Sequence, residues 1–161
     1  MTETVVPSRD GLPDSTGEAP GDAAAALEQE VFAMWRRGRA YMAESARAVD
    51  PKLDPMCYPL LVLLRGADAV AMSDLIGELG IEKSTLTRRI DSVERLGLVE
   101  RIPDPHDARA RLVALTSEGR CRLEDQRAEM FRRWRERLAM WDTADVRQLA
   151  ELMHRLGGIL D

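Results

Sequence analysis

Apolar residues follow helical spacing over most of this chain and turn β-prone in only one short region. From Ala23 to Val49, the positions Leu27, Val31, Met34, Trp35, Tyr41, Met42 and Val49 recur on one face, and no proline interrupts them. This spacing predicts a long first helix, ended at Asp50-Pro51 because proline disfavours helical geometry in the residue before it. Asp54-Pro55 then opens a second helix, with Asp as cap and Pro at the first position. Its run Leu60–Leu64 is apolar on every side, so this helix is expected to be central and buried.

The next stretch is shorter and more sharply punctuated. A third helix is expected from a Ser73 cap, with Leu75, Ile76 and Leu79 inward and Gly80 closing it in a left-handed conformation. A fourth, Lys83 to Leu96, sets Leu86, Ile90, Val93 and Leu96 at core spacing and is closed by Gly97. The runs Leu98–Ile102 and Leu112–Leu115 are β-prone and joined by a polar loop with Pro103 and Pro105. Helix, glycine turn, helix and charged hairpin in this order make a winged helix-turn-helix. Thr116-Ser117-Glu118 then starts a long fifth helix carrying Leu123, Met130, Phe131, Trp134 and Leu138. A last helix, from about Thr143 to Leu160, carries Val146, Leu149, Leu152, Met153, Leu156, Ile159 and Leu160.

The fold class is therefore mainly α with a small β-hairpin wing. Residues 1–22 mix Pro, Gly, Asp, Ser and Thr without an apolar period and are expected to be a disordered leader. The remaining divisions are 23–54 as an N-terminal helix, 55–116 as the DNA-binding winged helix, and 117–161 as C-terminal helices. No apolar run approaches the roughly 18 residues of a membrane span, and the N-terminus lacks a secretion pattern, so a cytoplasmic location is expected.

Charge changes the picture less than its total suggests. The formal net charge is −5. Residues 1–31 hold seven acids against Arg9 alone, which leaves residues 32–161 at +1. Lys83 to Arg111 holds seven bases and five acids. Partners respond to the local field, so the acidic total does not exclude DNA. With the Leu86–Ile90–Val93 face inward, Ser84, Arg88, Asp91 and Arg95 point directly outward, while Thr85, Thr87 and Arg89 lie on the flanks. Short hydroxyls reach phosphates or base edges, and Arg bonds bidentately to guanine. The N-terminal half of such a helix is the part that reaches bases, which favours Ser84, Thr85, Thr87, Arg88 and Arg89 over Arg95. The same face also serves as a solvated surface with ion pairs such as Arg88–Glu94 or Asp91–Arg95. The loop PDPHDARAR offers Arg109 and Arg111 beside Asp104 and Asp107; an Arg at a hairpin tip can enter a narrow minor groove.

An enzyme is disfavoured. Only His106 and His154 are present, without HExxH, CxxC, a phosphate loop or a nucleophile elbow, and they show no metal-ligand spacing with Cys57 and Cys121. No catalytic residue, metal or cofactor is expected. Cys57 and Cys121 read as small buried hydrophobes.

The run from Leu75 through Arg120, with the matching segment LGIEKSTLTRRIDSVERLGLVERIPDPHDARARLVALTSEG from Leu79 to Gly119, closely resembles the MarR family of multiple-antibiotic-resistance-type regulators, most specifically at the wing and the LT-x-x-G that follows. The resemblance implies a six-helix protomer that dimerises through its N- and C-terminal helices. It also implies a pseudo-palindromic double-stranded DNA operator, with the fourth helix in the major groove and the wing arginine in the minor groove. Ser73, Lys83, Ser84, Thr85, Thr87, Arg88 and Arg89 are then groove-facing candidates, and Asp107, Arg109 and Arg111 the wing's. His106 stands where the fuller wing pattern has its first Arg, and Ala108 where a further Arg is common. The family further implies a repressor released by a small-molecule effector. A cysteine-based redox-responsive regulator and a DNA-binding protein without effector are the alternatives.

All seven aromatics lie outside residues 59–130. They are expected in core and dimer interface. Trp35, Tyr58 and Trp134 are candidates for an effector pocket taking a small aromatic ligand. The use of Arg over Lys, 21 against 2, fits a GC-rich bacterial genome.

Overall fold

The protein was analysed as a computed structural model, which describes residues 20–107 and 110–159. Expectations for Ala108, Arg109, Leu160 and most of the leader lie outside these residues. The elements run α1 (Pro20–Val49), a 3-10 turn (Pro55–Cys57), α2 (Tyr58–Arg65), β1 (Val70–Ala71), α3 (Met72–Leu79), α4 (Lys83–Arg95), β2 (Val99–Pro103), β3 (Arg111–Leu115), α5 (Ser117–Leu138) and α6 (Thr143–Gly157). Helix α1 thus begins three residues before the expected Ala23, and α6 stops at Gly157 rather than Leu160. Among the described residues no helix is long and apolar enough to cross a membrane.

The chain divides between Ala40 and Tyr41 into two units. In the first, the α1 residues Phe32 and Trp35 are exposed and pack edge to face, with ring centroids 5.6 Å apart. The second unit holds the core. Leu60, Leu61 and Leu64 of α2 are fully buried at its centre, joined by Leu75, Leu86, Ile90, Val93, Leu98, Val113 and Leu123. Each such side chain contributes about 1.5–3 kcal/mol of burial, so the all-round apolar run of α2 is the natural centre.

Asp54 caps as expected, accepting from the Met56 amide at 2.9 Å, but what it caps is the 3-10 turn leading into α2. The Ser73 cap does not form. Val70 and Ala71 remain extended because they pair with Val113 and Leu112, so the helix starts at Met72 with Ala71 in the cap position. Ser73 lies in the first turn, its hydroxyl donating to Asp74 Oδ1. Strand β1 also turns the expected hairpin into a three-stranded antiparallel sheet, ordered β1-β3-β2. Gly80 and Gly97 both adopt positive φ, 59° and 71°, and close α3 and α4 as the sequence predicts.

The step from sheet to α5 is the tightest in the fold. The Thr116 amide donates to the Leu98 carbonyl at 3.1 Å, and its hydroxyl to the Gly97 carbonyl at 2.6 Å. The same hydroxyl oxygen accepts from the Gly119 amide and so caps α5. Gly119 lies so close to Leu98 that an added Cβ would stand 2.0 Å from the Leu98 carbonyl oxygen. The LT-x-x-G run therefore has a mechanical basis: Thr clasps the turn that leads into β2, and only Gly lets the helix approach the Leu98 backbone.

Further along, α5 meets the end of α1 through ions. Arg122 bonds Asp50 at 2.8 Å, and Arg133 bonds Glu44 at 3.0 Å and Glu129 at 2.8 Å. Glu129 also accepts from Arg132. The hydrogen bonds from Arg132 and Arg133 pull the Glu129 carboxyl down to about 2.

The aromatics, expected in core and dimer interface, divide. Only Tyr58 joins the core; Phe32, Trp35, Tyr41, Phe131, Trp134 and Trp141 are exposed. They lie on helix faces left open among the described residues. The cysteines also separate: Cys57 is buried as expected, but Cys121 is exposed on α5.

Two outcomes follow for stability. Gly119→Ala should cost about 2–4 kcal/mol in urea unfolding, because the obstructing atom is backbone and cannot turn aside. An unchanged midpoint would mean that α5 does not approach Leu98 this closely. Glu129 has a depressed pKa, so its stabilising effect is full above its usual 4.5 and fades as pH falls towards 2. The melting temperature of the wild type should exceed that of Glu129→Gln at neutral pH, and the gap should close over that acid interval.

Candidate nucleic-acid interface

Helix α4 carries two faces that its sequence separates cleanly. Leu86, Ile90 and Val93 are fully buried, and Ser84, Arg88, Asp91 and Arg95 are exposed on the opposite side. Lys83 is exposed at the first turn, and Thr85, Thr87 and Arg89 are half-buried on the flanks. The Thr87 hydroxyl donates to the Lys83 carbonyl at 2.9 Å, a local bond that ties it to its own helix. The exposed N-terminal turn thus presents one Lys, one Ser and amide groups, with Arg88 one turn further on. Ser73, in the first turn of α3, is also exposed.

None of the helix-internal ion pairs expected from sequence forms. Arg101 of β2 reaches across instead, donating one guanidinium nitrogen to Asp91 and another to Glu94. Arg95 Nε donates to the Asp91 backbone carbonyl at 3.2 Å. Among the described residues no acid pairs with Lys83, Arg88 or Arg89. Arg101 was missed by the sequence reading, although a signal for it existed. Strand alternation puts it on the same face as buried Val99, towards α4, where an Arg needs acidic partners.

The wing follows from the same pairing. Strands β2 and β3 align Val99 with Leu115 and Pro103 with Arg111. The loop between them is held by its own backbone: the Asp104 amide donates to the Ala110 carbonyl at 3.3 Å, and the Ala110 amide to the Asp107 carbonyl at 2.9 Å. Asp104 Oδ1 accepts from the His106 amide at 2.8 Å. His106, Asp107 and Arg111 are exposed, and the Arg111 guanidinium donates to the neighbouring Ala110 carbonyl at 3.1 Å. Arg109 lies outside the described residues.

One concavity adjoins α4 and a second lies apart from it. The first, of about 350 Å³, lies between the 3-10 turn and α4 and is lined by Asp54, Cys57, Arg88, Arg89, Ser92 and Arg95. Burial pushes the Cys57 thiol up, with Asp54 adding to the shift, so it holds its proton. The second, of about 160 Å³, lies between the end of α1 and α5, with Tyr41, Ser45, Gln126, Arg133 and Trp134 among its lining. Of the three effector candidates, Trp134 lines this space. Tyr58 does not; it is buried, and its hydroxyl donates to Gln126 at 2.9 Å. Trp35 belongs to the other unit.

Comparison with known proteins agrees with this arrangement. Residues 52–110 match the family model described as MarR family. Over 97 residues the chain is 36% identical to YdgJ of Bacillus subtilis (strain 168), an HTH-type transcriptional regulator; the match covers 60% of this chain and 59% of that protein. The chain thus spans under two thirds of that curated relative. A solved MarR family transcription regulator superposes with a TM-score of 0.73 at 19% identity, covering 87% of this chain and 93% of its own. Wild-type MarR from E. coli, in its apo form, gives 0.63 at 23% identity, covering 80% and 95%. The winged-helix part of the chain thus matches the MarR family model, and the fold over most of the chain is that of solved MarR family regulators.

Proposed function

We propose that this protein is a dimeric, sequence-specific DNA-binding transcriptional regulator, acting as a repressor that a small aromatic ligand releases. The observation that carries the DNA reading is α4, with a buried apolar face and an opposite face where Lys83, Ser84 and Arg88 stand exposed and without acidic partners among the described residues. In this reading Ser84, Thr85, Thr87, Arg88 and Arg89 read the major groove, Ser73 and Lys83 contact phosphate, and Asp107, Arg109 and Arg111 form the minor-groove wing. The relative's description as an HTH-type transcriptional regulator supports it.

The effector reading rests on the concavity beside Trp134. A cavity of about 150 Å³ takes up benzene, so 160 Å³ suits a single ring stacked on Trp134 with Arg133 at hand for a polar substituent. Tyr58 bonds Gln126, one of the residues lining this space. The cysteine-based alternative is weaker. Burial raises the Cys57 thiol, and Asp125 raises that of Cys121, which opposes the thiolate that oxidation requires.

Dimerisation accounts for the open apolar surface. Leu149, Leu152 and Met153 of α6 are exposed in the single chain, as are Phe32 and Trp35 of α1. A second copy is the occupant that the family fold favours, with the C-terminal and N-terminal helices as the interface.

Footprinting on DNA upstream of the protein's own gene, followed by anisotropy titration, tests the assignment. Arg88→Ala should weaken specific binding by about ten- to a hundredfold, about 1–3 kcal/mol, with helix content unchanged. Unchanged affinity would remove α4 from the interface. In the same titration, small aromatic compounds should lower affinity for the wild type; no response to any of them would favour a regulator without effector. Sedimentation at micromolar concentration should give a dimer, and a monomer there would contradict the interface.

A further inference from the structure

The exposed stripe of α4 reads Ser84, Arg88, Asp91, Arg95, so an acid sits between two arginines on the face proposed to meet phosphate. Left alone, Asp91 has both as neighbours at helical spacing, Arg88 three residues before it and Arg95 four residues after it. It would capture one of them and repel phosphate. Neither arginine gives its guanidinium to the Asp91 carboxylate. Arg101 takes that carboxylate with one nitrogen and Glu94 with another, from a strand position only 28% exposed.

We propose that Arg101 is an internal counter-ion of this face: by holding Asp91 and Glu94 it cancels two acids and leaves Arg88 and Arg95 without an acidic partner, their charge available to an external polyanion. The inference rests on the DNA-binding reading above and assigns a positioning residue within it. As an ordinary partly exposed ion pair, the contact would add little to stability, on the order of 0–1 kcal/mol. Its consequence lies in the field. Removing Arg101 leaves two unpaired acids on the interface and gives Arg88 and Arg95 an acid to bind, so the cost falls on association and weakens with salt.

Anisotropy titration on the footprinted upstream duplex decides the matter. Arg101→Gln should bind about tenfold more weakly at low salt, with the gap narrowing as salt rises. Adding D91N and E94Q to that variant should restore wild-type affinity. A tether that merely held the wing would not be rescued by deleting its partners. The D91N/E94Q pair in an otherwise unmodified protein should bind more tightly than wild type, and it serves where Arg101→Gln does not fold. Wild-type affinity for Arg101→Gln, a triple variant as weak as the single, or a D91N/E94Q protein no tighter than wild type would overturn the proposal. Wild type that binds no duplex at all would defeat the DNA reading itself, and this inference with it.

Discussion

The contact on which the rest of this unit depends is the backbone clasp between Gly97–Leu98 and Thr116–Gly119. Gly97 ends α4 in a left-handed turn, Leu98 enters the core, and the Thr116 amide and hydroxyl bond the two carbonyls between them. The same hydroxyl caps α5, and Gly119 lets that helix lie against Leu98. One short junction thus sets where α4 stops, where the wing's strands begin and how α5 leaves. Hydrogen bonds of this kind are each worth only about 1 kcal/mol net. Their effect is large because they fix geometry where three elements meet, and because no side chain could be inserted there.

That junction also explains why Arg101 can act on α4. Counting from Leu98, strand alternation brings Val99 and Arg101 to the helix side, and register with β3 holds them there. Val99 is buried, while Arg101, one step nearer the wing, emerges beside Asp91 and Glu94. The polarity of the α4 surface is therefore a tertiary property. Its own sequence, with two acids among its arginines, predicts a self-neutralising face; the strand beside it removes the acids from the account.

This marks where the sequence was legible and where it was not. Helix order, the glycine stops at Gly80 and Gly97, the central burial of α2 and the orientation of α4 all follow from local periodicity, and all are present in the fold. Strand β1 was missed because two residues carry no period; its existence depends on a partner some forty positions away, at Leu112 and Val113. The Ser73 cap failed for the same reason, since pairing of Ala71 with Leu112 moved the helix start. The Arg101 pairing required asking which way one strand residue points, a question that composition does not raise. The roles assigned to Ser84, Arg88 and the wing rest on orientation and chemistry, and so go beyond what periodicity alone can deliver.

The exposed aromatics carry the argument one step further. Periodicity identifies a residue that wants burial, but it does not say which chain provides it. Tyr58 finds its cover within the protomer; Phe131, Trp134 and Trp141 do not, nor do Leu149, Leu152 and Met153 of α6. Apolar side chains at helical spacing without cover among the described residues are a cost that a lone protomer would bear in water, at roughly 25 cal/mol for each Å² left exposed. The proposed second copy offsets that cost. In the proposed dimer the α4 face would also gain what a single winged helix lacks: a symmetric mate, so that two half-sites would be read together and the affinity of one protomer would not have to suffice.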